Sequence, residues 1–283
     1  MAGRFSRSWS LANASWQVLK QDTQLLVFPL VSTIAAVVVA GAFALGGLGM
    51  WSYDGLSRLS GERLPMEFYV LGFAFYVCLY FVIFFCNAAL VGAAMLRFDG
   101  GIPTVGDGFR IAAARSGRIL GYALIAATVG MVLRAIQERV GFLGRFVVGL
   151  LGVGWTVATF MVVPVLVSRD VGPIDAVKES AGLLKKTWGE NVIGKAGLGL
   201  AFLVVYLGLA VAVVALLGGA VALGNTPLVV TVAGLAVVAL MLVALAHAAL
   251  TGIYSAALYR YATTGSGGAG FDSSVLQAAF ARK

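Results

Sequence analysis

Residues of the types used in catalysis are few and far apart in this sequence. The single histidine, His247, lies in a long apolar run with no acidic residue near it in sequence, so a Ser-His-Asp triad is not supported. Cys78 and Cys86 fall eight residues apart in one predicted helix, about 12 Å at 1.5 Å per residue, which is too far for a disulfide. No residues have the spacing of a metal site. We therefore expect no metal, no cofactor and no enzymatic activity.

Two further kinds of chemistry are also disfavoured. The glycine cluster at residues 46–50 (GGLGM) lacks the lysine of a phosphate-binding loop. No acidic residue falls well inside an apolar run, whereas proton- and sodium-coupled transporters commonly place one near the middle of the membrane. Paired carboxylates for glycosidase chemistry are missing from these runs for the same reason. Coupled transport is thus weakly supported.

Three polar residues stand inside apolar runs: Asn87, His247 and Thr251. His247 could bind or sense protons, because histidine titrates near neutral pH. The competing interpretation is a neutral imidazole that bonds a neighbouring helix. Asn87 is interpreted as a hydrogen-bonding residue between helices.

Charged residues crowd one predicted turn: Arg134, Glu138, Arg139 and Arg145. Arg134 and Glu138 are four residues apart and can pair on a helix. The group could form a cationic mouth that attracts anions. Alternatively, its members reach the lipid headgroups and form ion pairs there.

The apolar runs themselves predict a polytopic membrane protein. Hydrophobic residues make up 60% of the chain and charged residues 11%, and the mean hydropathy is +0.97. About 18 apolar residues suffice to cross a bilayer. The fold class expected is all-α with six transmembrane helices, at about residues 25–50, 67–96, 116–137, 146–167, 193–220 and 228–261.

Loop charges indicate the orientation of these spans. With both termini in the cytoplasm, fifteen Lys and Arg residues lie on the cytoplasmic side and five on the other. This bias follows the positive-inside rule. The net charge of +8 then requires no nucleic acid partner, since basic residues facing anionic inner-leaflet lipids explain it.

The amino-terminal residues have the pattern of a helix that lies in the membrane interface. Phe5, Trp9, Ala12, Trp16 and Leu19 are spaced four, three, four and three, which puts them on one stripe. Arg4, Arg7 and Lys20 supply basic charge. Arg7 and Lys20 lie away from this stripe. Aromatic residues on one face and basic residues on the other are typical of interfacial helices, so we interpret this set as a membrane anchor. Binding of a partner protein is the alternative.

The same spacing recurs twice. It returns at Val105, Phe109, Ala112, Ser116 and Ile119, and again at Ile174, Val177, Ala181, Leu184 and Trp188. Each copy precedes a pair of spans. The sequence therefore predicts a single membrane domain, residues 1–262, of three hairpins that each follow a cytoplasmic amphipathic helix. The repeat units would be about 4–98, 104–168 and 173–262, either duplicated or convergent. Residues 263–283 would form a Gly-rich linker and a short amphipathic helix.

Several short motifs resemble a known family. They are residues 3–9 (GRFSRSW), 14–19 (ASWQVL), 25–30 (LLVFPL), 169–173 (RDVGP) and 185–189 (KKTWG). Together they are similar to the prokaryotic domain-of-unknown-function family 6159, over about residues 3–262. The resemblance implies a multi-span protein of the prokaryotic inner membrane. It implies no activity and no functional residues.

Two functions from different classes are consistent with the sequence. The first is a non-catalytic scaffold that binds lipids or partner proteins through its amphipathic helices. The second is a homo-oligomeric channel or passive transporter. In that case a path for small ions or solutes could be lined by the arginines of the predicted outer turn and by four threonines: Thr156, Thr159, Thr231 and Thr251.

Overall fold

The chain is described by a computed structural model over residue 13 and residues 15–50, 66–188 and 193–266. Every regular element in these ranges is a helix. Helix α1 is described over residues 15–21, and a short 3-10 turn, Thr23–Leu26, follows it. The remaining helices are α2 (Val27–Met50), α3 (Met66–Phe98), α4 (Val105–Ala114), α5 (Ser116–Arg139), α6 (Phe142–Ala158), α7 (Val162–Ser168), α8 (Pro173–Trp188), α9 (Ile193–Ala222) and α10 (Thr226–Thr264).

Six helical segments in the described ranges are long and apolar enough to cross a membrane. They are Thr23–Gly47, Met66–Phe98, Ser116–Arg139, Phe142–Ser168, Phe202–Ala222 and Thr226–Thr264. Each contains or overlaps one of the six spans that the sequence predicted. The prediction of an all-helical, multi-pass membrane protein is confirmed. The grouping into three hairpins, the repeat units and the cytoplasmic termini stay predictions.

Two helices end where the apolar pattern predicted continuity. The pattern Val105–Ile119 suggested one amphipathic helix, but α4 stops at Ala114, and Arg115 adopts φ −114° and ψ 6° before α5 begins. Ser116 and Ile119 therefore belong to the third span. The fourth span is likewise interrupted, between Ala158 and Val162.

The chain divides into two compact units, which are described separately. Unit 1 comprises Met1–Leu26, Ala94–Ile102 and Lys185–Lys283. Here α9 and α10 pack against each other, and the 3-10 turn contacts α10. Residues 252–259 of α10 are all buried, so this stretch contributes much of the core of the unit.

Ion pairs join the helix ends of unit 1. Asp22 follows α1 and pairs with Arg97 near the end of α3 at 2.9 Å. Asp99 pairs with Arg260 near the end of α10. Both arginines are half-buried, and each pair holds two chain segments together at the end of a span.

Unit 2 comprises Val27–Ala93 and Pro103–Leu184. Helix α5 contacts both α6 and α7. Aromatic side chains fill the space between its helices: the Phe28 and Phe109 rings meet edge to face at 5.2 Å, and Phe84 stacks on Tyr122 at 4.5 Å. Such pairs add specific geometry to apolar burial.

Candidate functional site

The break in the fourth span follows from a proline. Pro164 has no backbone N–H, and in a continuous helix its ring would clash with the carbonyl of Phe160. The N–H of Val162 donates to Thr159 O at 3.1 Å, three residues back instead of four. The carbonyl of Ala158 consequently loses the partner that a regular helix would give it.

A serine from another helix satisfies the interrupted backbone. Ser180 of α8 is completely buried, and its hydroxyl donates to Ala158 O at 2.6 Å. The Ser180 hydroxyl oxygen also accepts from the N–H of Met161 at 3.0 Å. An unpaired backbone group is costly in an apolar environment. The Ser180 hydroxyl thus forms hydrogen bonds with the Ala158 carbonyl and the Met161 N–H, which lie on the two sides of the break.

The third span also contacts the break. Tyr122 of α5 is buried, and its hydroxyl bonds the side chain of Thr159. The Thr159 hydroxyl in turn donates to Trp155 O at 2.8 Å, the carbonyl one turn back in its own helix. Side chains of α5 and α8 therefore both reach the irregular segment, which makes it the joint of unit 2.

Asp170, an exposed carboxylate, follows the fourth span closely in sequence. Asp170, just after α7, pairs with Arg115 at 2.6 Å and also with Arg118. Hydrogen bonds from Arg118 and then Arg115, with the positive charge of Arg118, hold the pKa of Asp170 below its usual range. The start of α5 is thereby tied to the segment that follows the fourth span.

A further ion pair fastens α8 close to Ser180. Arg169 at the end of α7 pairs with Glu179 at 3.1 Å. Glu179 immediately precedes Ser180, so successive residues of α8 hold both ends of α7. Hydroxyls, backbone groups and paired charges make up this site, and they hold the helices around the break.

His247 lies in unit 1, in an aromatic environment. Its ring stacks on Phe202 with centroids 4.1 Å apart and planes 13° apart. The Tyr206 hydroxyl lies 3.4 Å from Nδ1 and is placed to donate to it when that nitrogen carries no proton. These contacts join α9 to α10. They agree with the interpretation of a histidine bonded to a neighbouring helix.

Asn87 and Thr251 are the other polar residues predicted inside the spans, and Thr251 follows His247 by four residues on the same helix. Asn87 is half-buried in α3 of unit 2, and Thr251 is half-buried in α10 of unit 1. Three of the threonines considered for a path, Thr156, Thr159 and Thr231, each donate to the carbonyl four residues earlier in the chain.

The predicted outer cluster is partly assembled. Arg134 pairs with Glu138 at 3.2 Å, and its guanidinium also donates to the Tyr76 hydroxyl at 3.1 Å. Arg139 and Arg145 are exposed where α5 ends and α6 begins. The i, i+4 pairing expected from the sequence is therefore present, and Tyr76 of α3 is an added partner.

The predicted interface anchors are only partly within the described ranges. Phe5, Trp9, Arg4 and Arg7 lie outside them, as does the side chain of Trp188. Trp16 is 41% exposed, and the ammonium of Lys20 lies 5.7 Å from the centre of its ring. The prediction that Lys20 lies away from the aromatic stripe is therefore wrong: Lys20 lies beside Trp16, because residues four apart are neighbours on a helix.

Comparison with known proteins gives one match. A model described as "Family of unknown function (DUF6159)" matches residues 66–271, about three quarters of the chain. The chain belongs to this family. The match confirms the family that the motifs suggested, although it begins after residues 3–30, which carried much of the resemblance. Neither the curated proteins nor the solved structures contain a match.

We call the break in the fourth span, together with the Ser180 and Tyr122 side chains that contact it, the polar joint. In this DUF6159 member, the polar joint lies inside the region that the family model matches. Ser180 and Pro164 were not singled out from the sequence, and Asp170 was noted only within the motif of residues 169–173. Pro164 offered a readable signal, because a proline well inside a predicted span indicates a break. Ser180 offered none, since a serine on a charged amphipathic helix is ordinarily solvated. Within the described ranges, no group of three or more His, Cys, Asp or Glu residues is placed to hold a metal ion.

Proposed function

We propose that this DUF6159 member is a non-catalytic scaffold of the prokaryotic inner membrane that binds lipids or partners through its short helices. Anionic headgroups at the cytoplasmic surface are the ligands its chemistry favours. One observation carries the proposal: an exposed apolar side chain is followed, four residues later, by an exposed lysine on both α1 and α8.

The first such pair is Trp16 and Lys20 on α1. Val18 and Leu19 of this helix are buried, while Trp16 and Lys20 are exposed. Tryptophan prefers the headgroup region, and lysine extends its ammonium towards phosphate from a buried stem. In this arrangement the Trp16 ring can insert at the membrane surface while the Lys20 ammonium pairs with an anionic headgroup above it.

The second pair is Ile174 and Lys178 on α8. Ile174 is 60% exposed, and the Lys178 side chain is 73% exposed. Ala176, Ser180 and Leu184 form the buried side of the same helix. Ile174 was expected on the apolar stripe, and it lies away from this buried line. It is therefore free to enter lipid while α8 remains docked on its unit.

Lipid selectivity tests the proposal in purified protein. Spin-labelled phosphatidylglycerol and phosphatidylcholine are compared for association with wild type and with Lys20→Gln/Lys178→Gln. Each basic residue near a membrane surface contributes about 1 kcal/mol, so we expect the preference for phosphatidylglycerol to fall roughly fivefold per lysine. High salt should weaken the wild-type preference in the same direction.

The matched control is Arg139→Gln/Arg145→Gln, which removes the same charge from the predicted outer side. Its lipid preference should remain that of wild type. An equal loss in both double variants would mean that net charge alone attracts the lipid, and the proposal would fail. No loss in the lysine variant would also reject it.

A homo-oligomeric channel or passive transporter is the second function considered. Its support is weaker, because the hydroxyls of Thr156, Thr159 and Thr231 already donate to their own helices. Reconstitution with an ion-flux assay separates the two. Flux that depends on protein density and is blocked by bulky substitutions at Thr156 or Thr251 would favour the channel over the scaffold.

A further inference from the structure

The break in the fourth span depends on a partner from outside that span. Pro164 prevents a regular helix from forming through residues 160–164. In a low-dielectric environment, the Ala158 carbonyl and the Met161 N–H must each find a partner. Ser180 supplies both contacts, at 2.6 and 3.0 Å. The geometry of the break is thus set by the position of α8.

Helix α8 also carries an exposed side. Lys178 lies two residues before Ser180 and points to the surface, while Ser180 is completely buried. Glu179, between them, pairs with Arg169 at the other end of α7. A displacement of α8 therefore acts on α7 at both ends, since the break and the carboxyl end of α7 are held by adjacent residues.

We propose that the Ser180 hydroxyl is a latch that couples contact between α8 and the membrane surface to the conformation of the fourth span. When α8 rests on anionic headgroups, the Ser180 hydrogen bonds to Ala158 and Met161 are formed, which is the closed state of the latch. These bonds hold α7 in its observed position relative to α6. When α8 leaves the surface, Ser180 withdraws and the break opens. The coupling rests on the lipid contact of α8 put forward above, whereas the latch itself rests only on the hydrogen bonds.

Hydrogen exchange at the break tests the latch in the full chain. Backbone amides of residues 159–163 are followed by mass spectrometry in nanodiscs of phosphatidylglycerol and of phosphatidylcholine. In wild type, we expect slower exchange in phosphatidylglycerol. Ser180→Ala should exchange at least about fivefold faster at Met161, from the net value of one hydrogen bond, and the lipid difference should vanish.

Two variants separate the latch from a general loss of packing. Pro164→Ala restores the missing N–H, so Ser180→Ala should have a smaller effect in that background than alone. Ser255→Ala is the matched control, because Ser255 is also buried and its hydroxyl donates to Gly252 O in its own helix at 2.8 Å. It should leave residues 159–163 unchanged. If Ser180→Ala does not fold, Ser180→Cys is expected to show an intermediate rate, because its thiol bonds more weakly.

The outcomes distinguish the latch from the scaffold function. Unchanged exchange in Ser180→Ala, or an equal effect with and without Pro164, overturns the latch. Faster exchange in Ser180→Ala with no lipid dependence in wild type rejects the coupling and leaves the hydrogen bonds standing. Loss of lipid selectivity in Lys20→Gln/Lys178→Gln, with no response at the break, would retain the scaffold function while rejecting the coupling.

Discussion

Small side chains let the helices of unit 2 approach closely. At Gly108 of α4, an added Cβ would lie 2.5 Å from the Phe28 ring and 2.7 Å from the carbonyl oxygen of Ala89. The carbonyl belongs to the backbone, so it cannot move aside as a flexible side chain would. Gly106, two residues earlier, has only an ordinary 3.7 Å contact with the Thr104 hydroxyl. The two glycines therefore differ in the space around them, and not in helix propensity.

Gly108→Ala should destabilise the protein, while Gly106→Ala should not. Overpacking typically costs about 1 to 3 kcal/mol, whereas alanine in place of an open helical glycine is neutral or mildly stabilising. Thermal unfolding in one detergent compares the two variants with wild type. Similar melting temperatures for both variants would show that α4 can shift away from Phe28 and the Ala89 carbonyl.

Asp170→Asn removes the carboxylate shared by Arg115 and Arg118. Because the folded protein lowers the pKa of Asp170, its ionised form stabilises the fold above the ordinary aspartate value of about 3.9. This contribution is lost as the pH falls through the lower, folded-state pKa. At about pH 5 to 8, we expect wild type to have a higher melting temperature than Asp170→Asn. At more acidic pH, the difference between the two melting temperatures should disappear.

Asp175→Asn serves as the control for this profile. Asp175 pairs with Lys178 on its own helix at 3.4 Å, and both side chains are largely exposed. Exposed pairs of this kind contribute little. A pH-dependent difference of the same size in Asp175→Asn would indicate a general effect of removing acid from this surface.

Among the helices, α4 has a defined start. The Thr104 hydroxyl accepts from the N–H of Asp107 at 3.2 Å, and the Asp107 carboxylate accepts from the N–H of Thr104 at 3.0 Å. These reciprocal bonds form a capping box. Hydrogen bonds from the side chain and then the backbone of Thr104 lower the pKa of Asp107. The capping box therefore stabilises the start of α4, a helix that is only ten residues long.

Loss of this cap should loosen α4 locally. Thr104→Ala is expected to cost roughly 1 kcal/mol, which corresponds to about fivefold faster amide exchange in residues 105–108. Thr104→Ser keeps the hydroxyl and should behave nearly as wild type. Equal exchange in the alanine and serine variants would show that packing, and not capping, orders the start of α4.

Across the whole molecule, the orientation of the spans is the main testable consequence of the charge pattern. Ile102 is 82% exposed and Leu143 is 79% exposed, on opposite sides of the membrane in the predicted topology. In a chain with Cys78→Ser and Cys86→Ala, Ile102→Cys should react with an impermeant maleimide only from the cytoplasmic side. Leu143→Cys should react only from the outside. The reverse labelling would invert the proposed topology.

Different parts of the structure were predictable to different degrees. The six spans follow from runs of apolar residues, and the structure has helices at all of them. The end of α4 at Ala114 was missed, since the apolar spacing runs on through Ile119 while Arg115 leaves helical geometry. The polar joint was missed because Ser180 and Ala158 are 22 residues apart, and periodicity within one helix does not report which helix lies beside it.

The sequence alone determined that this chain is a helical membrane protein and where each span lies. Apolar transfer into lipid is a sum over neighbouring residues, so it can be read along the chain. Only the tertiary structure decided that Ser180 bridges the broken fourth span, that Asp170 holds two arginines of α5, and that His247 stacks on Phe202. Each of these contacts joins separate segments, and packing between helices selects which polar groups meet.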